Sequence, residues 1–162
     1  MVTKEEMKKF ETSIISKERE VSYHVTVEEM RRFSVNAELN NKIYIKITEY
    51  TKKHNIKPKY EGIEDRCQLS ASALKKSCAG SIRITRTFLY KLTVGLKMGI
   101  EEADELFSLC GGPLSESSLE DYICIKALRD KDDINHFIDQ FNEFVKEYDS
   151  HQDGDKLKKL NY

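Results

Sequence analysis

The chain has no tryptophan and only two prolines and seven glycines in 162 residues. That scarcity argues against a loop-rich sandwich, a propeller or a collagen-like chain. Nowhere do about 18 apolar residues run together, so no transmembrane helix and no membrane partner are expected. The charged start, Met1 to Glu11, does not read as a secretory signal. Four cysteines (Cys67, Cys78, Cys110 and Cys124) lie far apart, with no C-x-x-C and no nearby histidine pair. They read as buried thiols in a reducing cytoplasm, not as a disulfide frame or a metal site.

The usual marks of catalysis are also missing. No glycine-rich phosphate loop is present, because Gly111-Gly112-Pro113 reads as a helix stop. His24, His54, His136 and His151 are scattered, and His24 alternates with valines in a way that suits a surface position. The pairs Glu101-Glu102 and Asp132-Asp133 fall at first turns of helices, where they favour the helix dipole. The expectation is a protein without enzymatic activity, cofactor or metal.

What is present is charge, unevenly placed. Apolar residues make up 39% and charged residues 34%, enough for the core of one ordinary domain under a heavily ionised surface. The net charge of -1 hides an asymmetry: residues 42–98 carry 13 basic and 4 acidic side chains, while residues 99–162 carry 7 basic and 16 acidic. The middle third therefore suits a polyanion and the last third repels one.

Periodicity predicts a mainly helical chain. Met7, Phe10 and Ile14 share a face of a short helix over Lys4 to Ser16. Val21, Tyr23, Val25 and Val27 then alternate with polar residues as a strand does. This strand could pair with Lys42 to Thr48, where Ile43, Ile45 and Ile47 alternate, or with its own copy in a second chain. Ile43, Ile47 and Tyr50 also fit helical spacing, and a helix over Leu39 to Lys53 is preferred. The strand then becomes a candidate dimerisation arm.

Further helices are expected over Tyr60 to Cys67 and over Ser70 to Cys78, the second stopped by Gly80. Another is capped by Thr85, carries Phe88, Leu89, Leu92 and Leu96 on one face, and ends at Gly99. Glu101 to Cys110 follows, with Ala103, Leu106, Phe107 and Cys110 inward. Ser115 is expected to cap a helix with Leu119, Tyr122 and Ile123 apolar. The last helix carries Ile134, Phe137, Ile138, Phe141, Phe144, Val145 and Tyr148 in one stripe, a core face or half of a dimer interface. From His151 to Tyr162 the chain is polar and expected to fray.

The stretch I63-E-D-R-C-Q-L-S-A-S-A-L-K-K-S-C-A-G80 resembles the tandem helices of the Cro/repressor-type (XRE) helix-turn-helix family. Ile63, Cys67, Leu69 and Leu74 fall at its apolar positions, and Gly80 at the glycine that ends its second helix. The continuation S81-I-R-I-T-R-T-F-L-Y-K-L-T-V-G-L-K-M-G-I-E-E-A-D-E-L-F107 is similar to the family's basic loop, capped helix and acidic fifth helix. The likeness spans Leu39 to Cys110. It departs at Gln68, where the family prefers glycine, at Glu64, where a small alanine usually packs, and at Ser77, where an aliphatic residue is usual.

The resemblance implies a lambda-repressor-like helix-turn-helix bundle with extra C-terminal helices and a short N-terminal helix/β arm. Together with the periodicity of the flanks, which lie outside the likeness, this divides the chain into an arm (1–38), a DNA-binding domain (39–112), a C-terminal helical pair that is a second candidate for dimerisation (113–150) and a flexible tail (151–162). The implied function is a sequence-specific double-stranded DNA-binding regulator, a repressor acting as a homodimer in the cytoplasm.

An α-helix fits the major groove when a preceding helix braces it across the backbone. With Leu74 inward, Ala71, Ser72, Lys75 and Lys76 are expected outward: lysines for guanine acceptors, Ser72 for either kind of partner, Ala71 for a thymine methyl. Ser70 caps that helix and could reach a phosphate, while Lys59, Arg83 and Arg86 lie near helix starts that favour phosphate. The alternative is a protein-interaction or inhibitor module, for example one borne by a phage or mobile element, that holds a basic partner with its acidic C-terminal half.

Overall fold

The computed structural model describes residues 27–151 together with Lys4 and Leu160, and side chains from residue 37 to 147 with those same two. Among the described residues there are seven α-helices and no strand. They are α1 (Val27–Lys53), α2 (Glu64–Cys67, preceded by a 3-10 turn, Glu61–Ile63), α3 (Ala71–Ala79), α4 (Arg86–Gly95), α5 (Ile100–Ser108), α6 (Leu119–Asp130) and α7 (Ile134–His151). The chain is thus mainly α, as its periodicity predicts.

The segment over Lys42 to Thr48 is helical, and α1 begins twelve residues before the expected Leu39. Residues 27–38 contain neither proline nor glycine, so nothing in them stops the helix. Of the expected strand, Val27 opens α1; residues 21–26, like the first helix after Lys4, lie outside the described residues.

Helix α4 is the centre of the bundle. Every residue from Phe88 to Gly95 is buried, and α4 packs against α2, α5, α6 and α7, while α1 lies on α3 and α5. Gly95 makes the α4–α2 approach possible: a Cβ there would meet Arg66 O at 2.5 Å and Cys67 Cα at 2.6 Å. A single apolar cluster runs from Leu39, Ile43 and Ile47 through Leu74, Leu89 and Phe107 to Phe137, Phe141 and Val145. It crosses residue 112, so the helical pair α6–α7 and the first five helices share one core.

Other helix ends also differ from expectation. Helix α4 stops at Gly95 rather than Gly99, because Lys97 turns the chain with φ 52°, and Gly99 instead precedes α5 in an extended conformation. Lys131 makes the equivalent turn after α6 with φ 54°. The two ammonium groups cross: Lys97 donates to the carbonyls of Lys131 and Asp132, both at 3.0 Å, and Lys131 to those of Lys97 and Met98, at 3.0 and 3.1 Å. Each lysine therefore satisfies carbonyls in the turn that follows the other's helix, near the negative end of the helix dipole.

A further difference concerns α6, which is capped by Ser118, accepting from Asp121 N–H at 3.4 Å, and not by Ser115. In α7 the stripe is buried at Ile134, Phe137, Ile138, Phe141 and Val145, whereas Phe144 is exposed, as is Tyr122 on α6. Leu160, expected in a frayed tail, is buried in the core, and the Asn142 side chain holds its backbone N–H at 2.8 Å and its carbonyl at 3.0 Å.

Candidate nucleic-acid interface

The site is built on two short helices joined by Gln68 and Leu69. Gln68 sits in the left-handed region at φ 52°, where a side chain costs about 1 kcal/mol relative to glycine. Local contacts offset that cost. The Gln68 amide donates to Asp65 O at 3.0 Å, and the Gln68 carbonyl accepts from the buried Lys91 ammonium at 3.1 Å. Burial pulls the Lys91 pKa down. The turn is thus tied to the central helix by a charge-assisted hydrogen bond.

Glu64, the second departure from the family pattern, bridges the two helices: its carboxylate accepts from the Ala71 N–H at 3.1 Å, at the positive end of α3. Ser70 completes that end by accepting from Ala73 N–H at 3.1 Å. Ser77, the third departure, is buried and donates to Leu74 O at 2.6 Å, so its hydroxyl is satisfied within its own helix. Gly80 closes α3 with φ 78°.

With Ala71, Leu74 and Ser77 buried, α3 turns Ser72, Lys75 and Lys76 to solvent on one face. Ala71 is corrected: it is only 8% exposed and offers no methyl to a groove, because it stands three residues before Leu74 on the buried face of α3. Lys75 pairs with Glu61, Nζ to Oε1 2.9 Å, and lies 5.9 Å from the Tyr60 ring centroid. The hydrogen bond from Lys75 holds the Glu61 carboxyl below its ordinary range. Lys59 is half-buried, donating to Thr48 Oγ1 at 3.0 Å with its ammonium 4.7 Å from the Tyr44 ring centroid. It faces α1 more than the open surface. Arg83 is exposed in the loop before α4.

Arg86 is the second correction. Expected at a phosphate, it is instead folded inward onto Asp121 Oδ2 at 2.7 Å and onto the carbonyls of Cys110 and Gly112 at 2.8 and 2.7 Å. The same Asp121, itself buried, accepts from the Tyr90 hydroxyl and from Ser115 N–H at 3.1 Å. Burial and then the Asp121 hydrogen bond push the Tyr90 phenol up. Arg86 therefore locks the start of α4 to α6 and to the turn after α5. Nothing along the chain announces this lock: Asp121 in a first turn is explained equally well by the helix dipole.

The four cysteines are free thiols, buried at Cys67 and Cys124 and half-buried at Cys78 and Cys110. Among the described residues no group of three or more His, Cys, Asp or Glu gathers as metal ligands would, and no helix is long and apolar enough to cross a membrane. No family model, curated protein or solved structure matches the chain.

Proposed function

We propose that the chain is a sequence-specific double-stranded DNA-binding regulator of the helix-turn-helix type, a repressor that occupies its operator as a dimer in the cytoplasm. One observation carries the reading: α3 exposes Ser72, Lys75 and Lys76 together on one face, while Glu64, Gln68 and Lys91 hold the helix from behind. A braced helix with basic and hydroxyl side chains outward has the parts that major-groove reading requires. Exposed Arg83 supplies phosphate attraction beside it. Neither arginine nor asparagine stands on α3, so each monomer discriminates modestly and two half-sites would multiply the effect.

The test is a titration against DNA from upstream of the chain's own gene and against a scrambled duplex, from low to physiological salt. The expected result is far tighter binding to the first, with a salt slope equivalent to several phosphate contacts. Weak and equal binding to both would remove the reading.

A second reading has its own observation. Tyr122 and Phe144 are 50% and 43% exposed on α6 and α7, in the acidic third of the chain. Aromatic side chains set among carboxylates suit a basic protein partner. Under that reading, charge reversal across Glu101 to Glu147 abolishes function while Lys75 and Lys76 are dispensable.

A further inference from the structure

We infer that Glu61 and Lys75 act together as a reader of one G·C base pair in the major groove, an inference that rests on the DNA-binding reading above. Glu61 stands on the turn leading into α2 and Lys75 on the exposed face of α3, and both side chains are open to solvent. Their ends lie 2.9 Å apart, a donor beside an acceptor. A G·C pair presents the complementary edge: N7 and O6 of guanine accept, and the N4 amine of cytosine donates. The cytosine amine itself donates to guanine O6 at the usual N–H···O separation of about 2.9 Å. Donor and acceptor on the protein are thus spaced like acceptor and donor on the base pair.

The ammonium has three donors, enough to keep Glu61 and reach both guanine acceptors; the carboxylate keeps free lone pairs for the cytosine amine. An A·T pair fits less well. Its order along the groove is acceptor, donor, acceptor, so an ammonium centred between the two purine groups meets the adenine amine, donor against donor. Tyr60 backs the pair, with its ring beside both Lys75 and Lys59 and its phenol pushed up to about 12 by burial, so it stays neutral at physiological pH. The carboxylate that would repel a phosphate is held instead for a base.

The experiment is selection of bound duplexes from a randomised library by the full chain and by Glu61→Ala, Lys75→Ala and Lys76→Ala, each checked for unchanged helical content. The wild-type chain should fix a G·C pair at one position of the half-site. Glu61→Ala and Lys75→Ala should relax that same position about tenfold or more, and Lys76→Ala should leave it fixed. Glu61→Ala should also bind random duplex more tightly, because a negative charge leaves the face that meets phosphates. An unchanged base preference in Glu61→Ala, or an A·T pair at the position that both variants relax, overturns the inference while the DNA-binding reading stands. Failure to enrich any duplex overturns both.

Discussion

Two helix pairs in this protein turn on the same device and put it to different ends. Between α2 and α3 the chain reverses at Gln68, and between α6 and α7 at Lys131, each in the left-handed region without glycine. The α6–α7 pair carries its own apolar stripe, from Ile123, Cys124 and Leu128 to Phe137, Phe141 and Val145. Helix α2 has four residues and α3 nine, too short to persist alone, so that pair is held by its surroundings: Gly95 lets α4 approach, Lys91 holds the turn, and α1 covers α3. Both pairs pack on α4, but α6–α7 brings a long apolar stripe to the shared core, whereas α2–α3 rests on a frame that its neighbours supply. A borrowed frame frees the outer face of α3 for side chains that a core would reject.

This difference can be broken at defined points. The largest effect is expected at Asp121, which joins the two regions through Arg86 and Tyr90. Asp121→Ala leaves a guanidinium with no carboxylate inside a largely buried network and should cost about 3 kcal/mol in denaturant unfolding. Next is Gly95→Ala. Its methyl would press on the backbone of Arg66 and Cys67, costing about 2 kcal/mol and displacing α2, so DNA affinity should fall further than stability alone explains.

Thiol labelling reports on the two helix pairs separately. Burial pushes both Cys67 on α2 and Cys124 on α6 up to about 12, so near neutral pH each is protonated and reacts only when its region opens. Alkylation followed by mass spectrometry should modify Cys67 faster than Cys124, and the Gly95→Ala variant should widen the gap. The smallest effect is expected at the exposed aromatics. Tyr122→Ser and Phe144→Ser should each change stability by no more than about 0.5 kcal/mol, and a partner-binding role would show as lost association with the fold intact.

Much of this arrangement was legible in the residues. Ser70, Thr85 and Gly80 announced helix ends, and the spacing of Phe88, Leu89 and Leu92 and of Ile134, Phe137 and Ile138 announced buried faces. Local chemistry reports local structure. What stayed hidden depends on contacts distant in sequence. Arg83 and Arg86 look alike along the chain, yet the first is exposed and the second is spent on a carboxylate 35 residues away. Ala71 is under cover because it stands three residues before Leu74 on the same inward face of α3, a spacing that its expected outward role overlooked. The Glu61–Lys75 pair spans 14 residues and two elements, beyond any helical spacing rule.

Amide chemical-shift mapping during titration with a duplex shows directly which face meets DNA. The expected shifts concentrate at Glu61, Ser72, Lys75, Lys76 and Arg83 and shrink as salt is raised, with α6 and α7 unmoved. Shifts centred on Tyr122 and Phe144, or none on α3, would rule out α3 as the DNA-reading face.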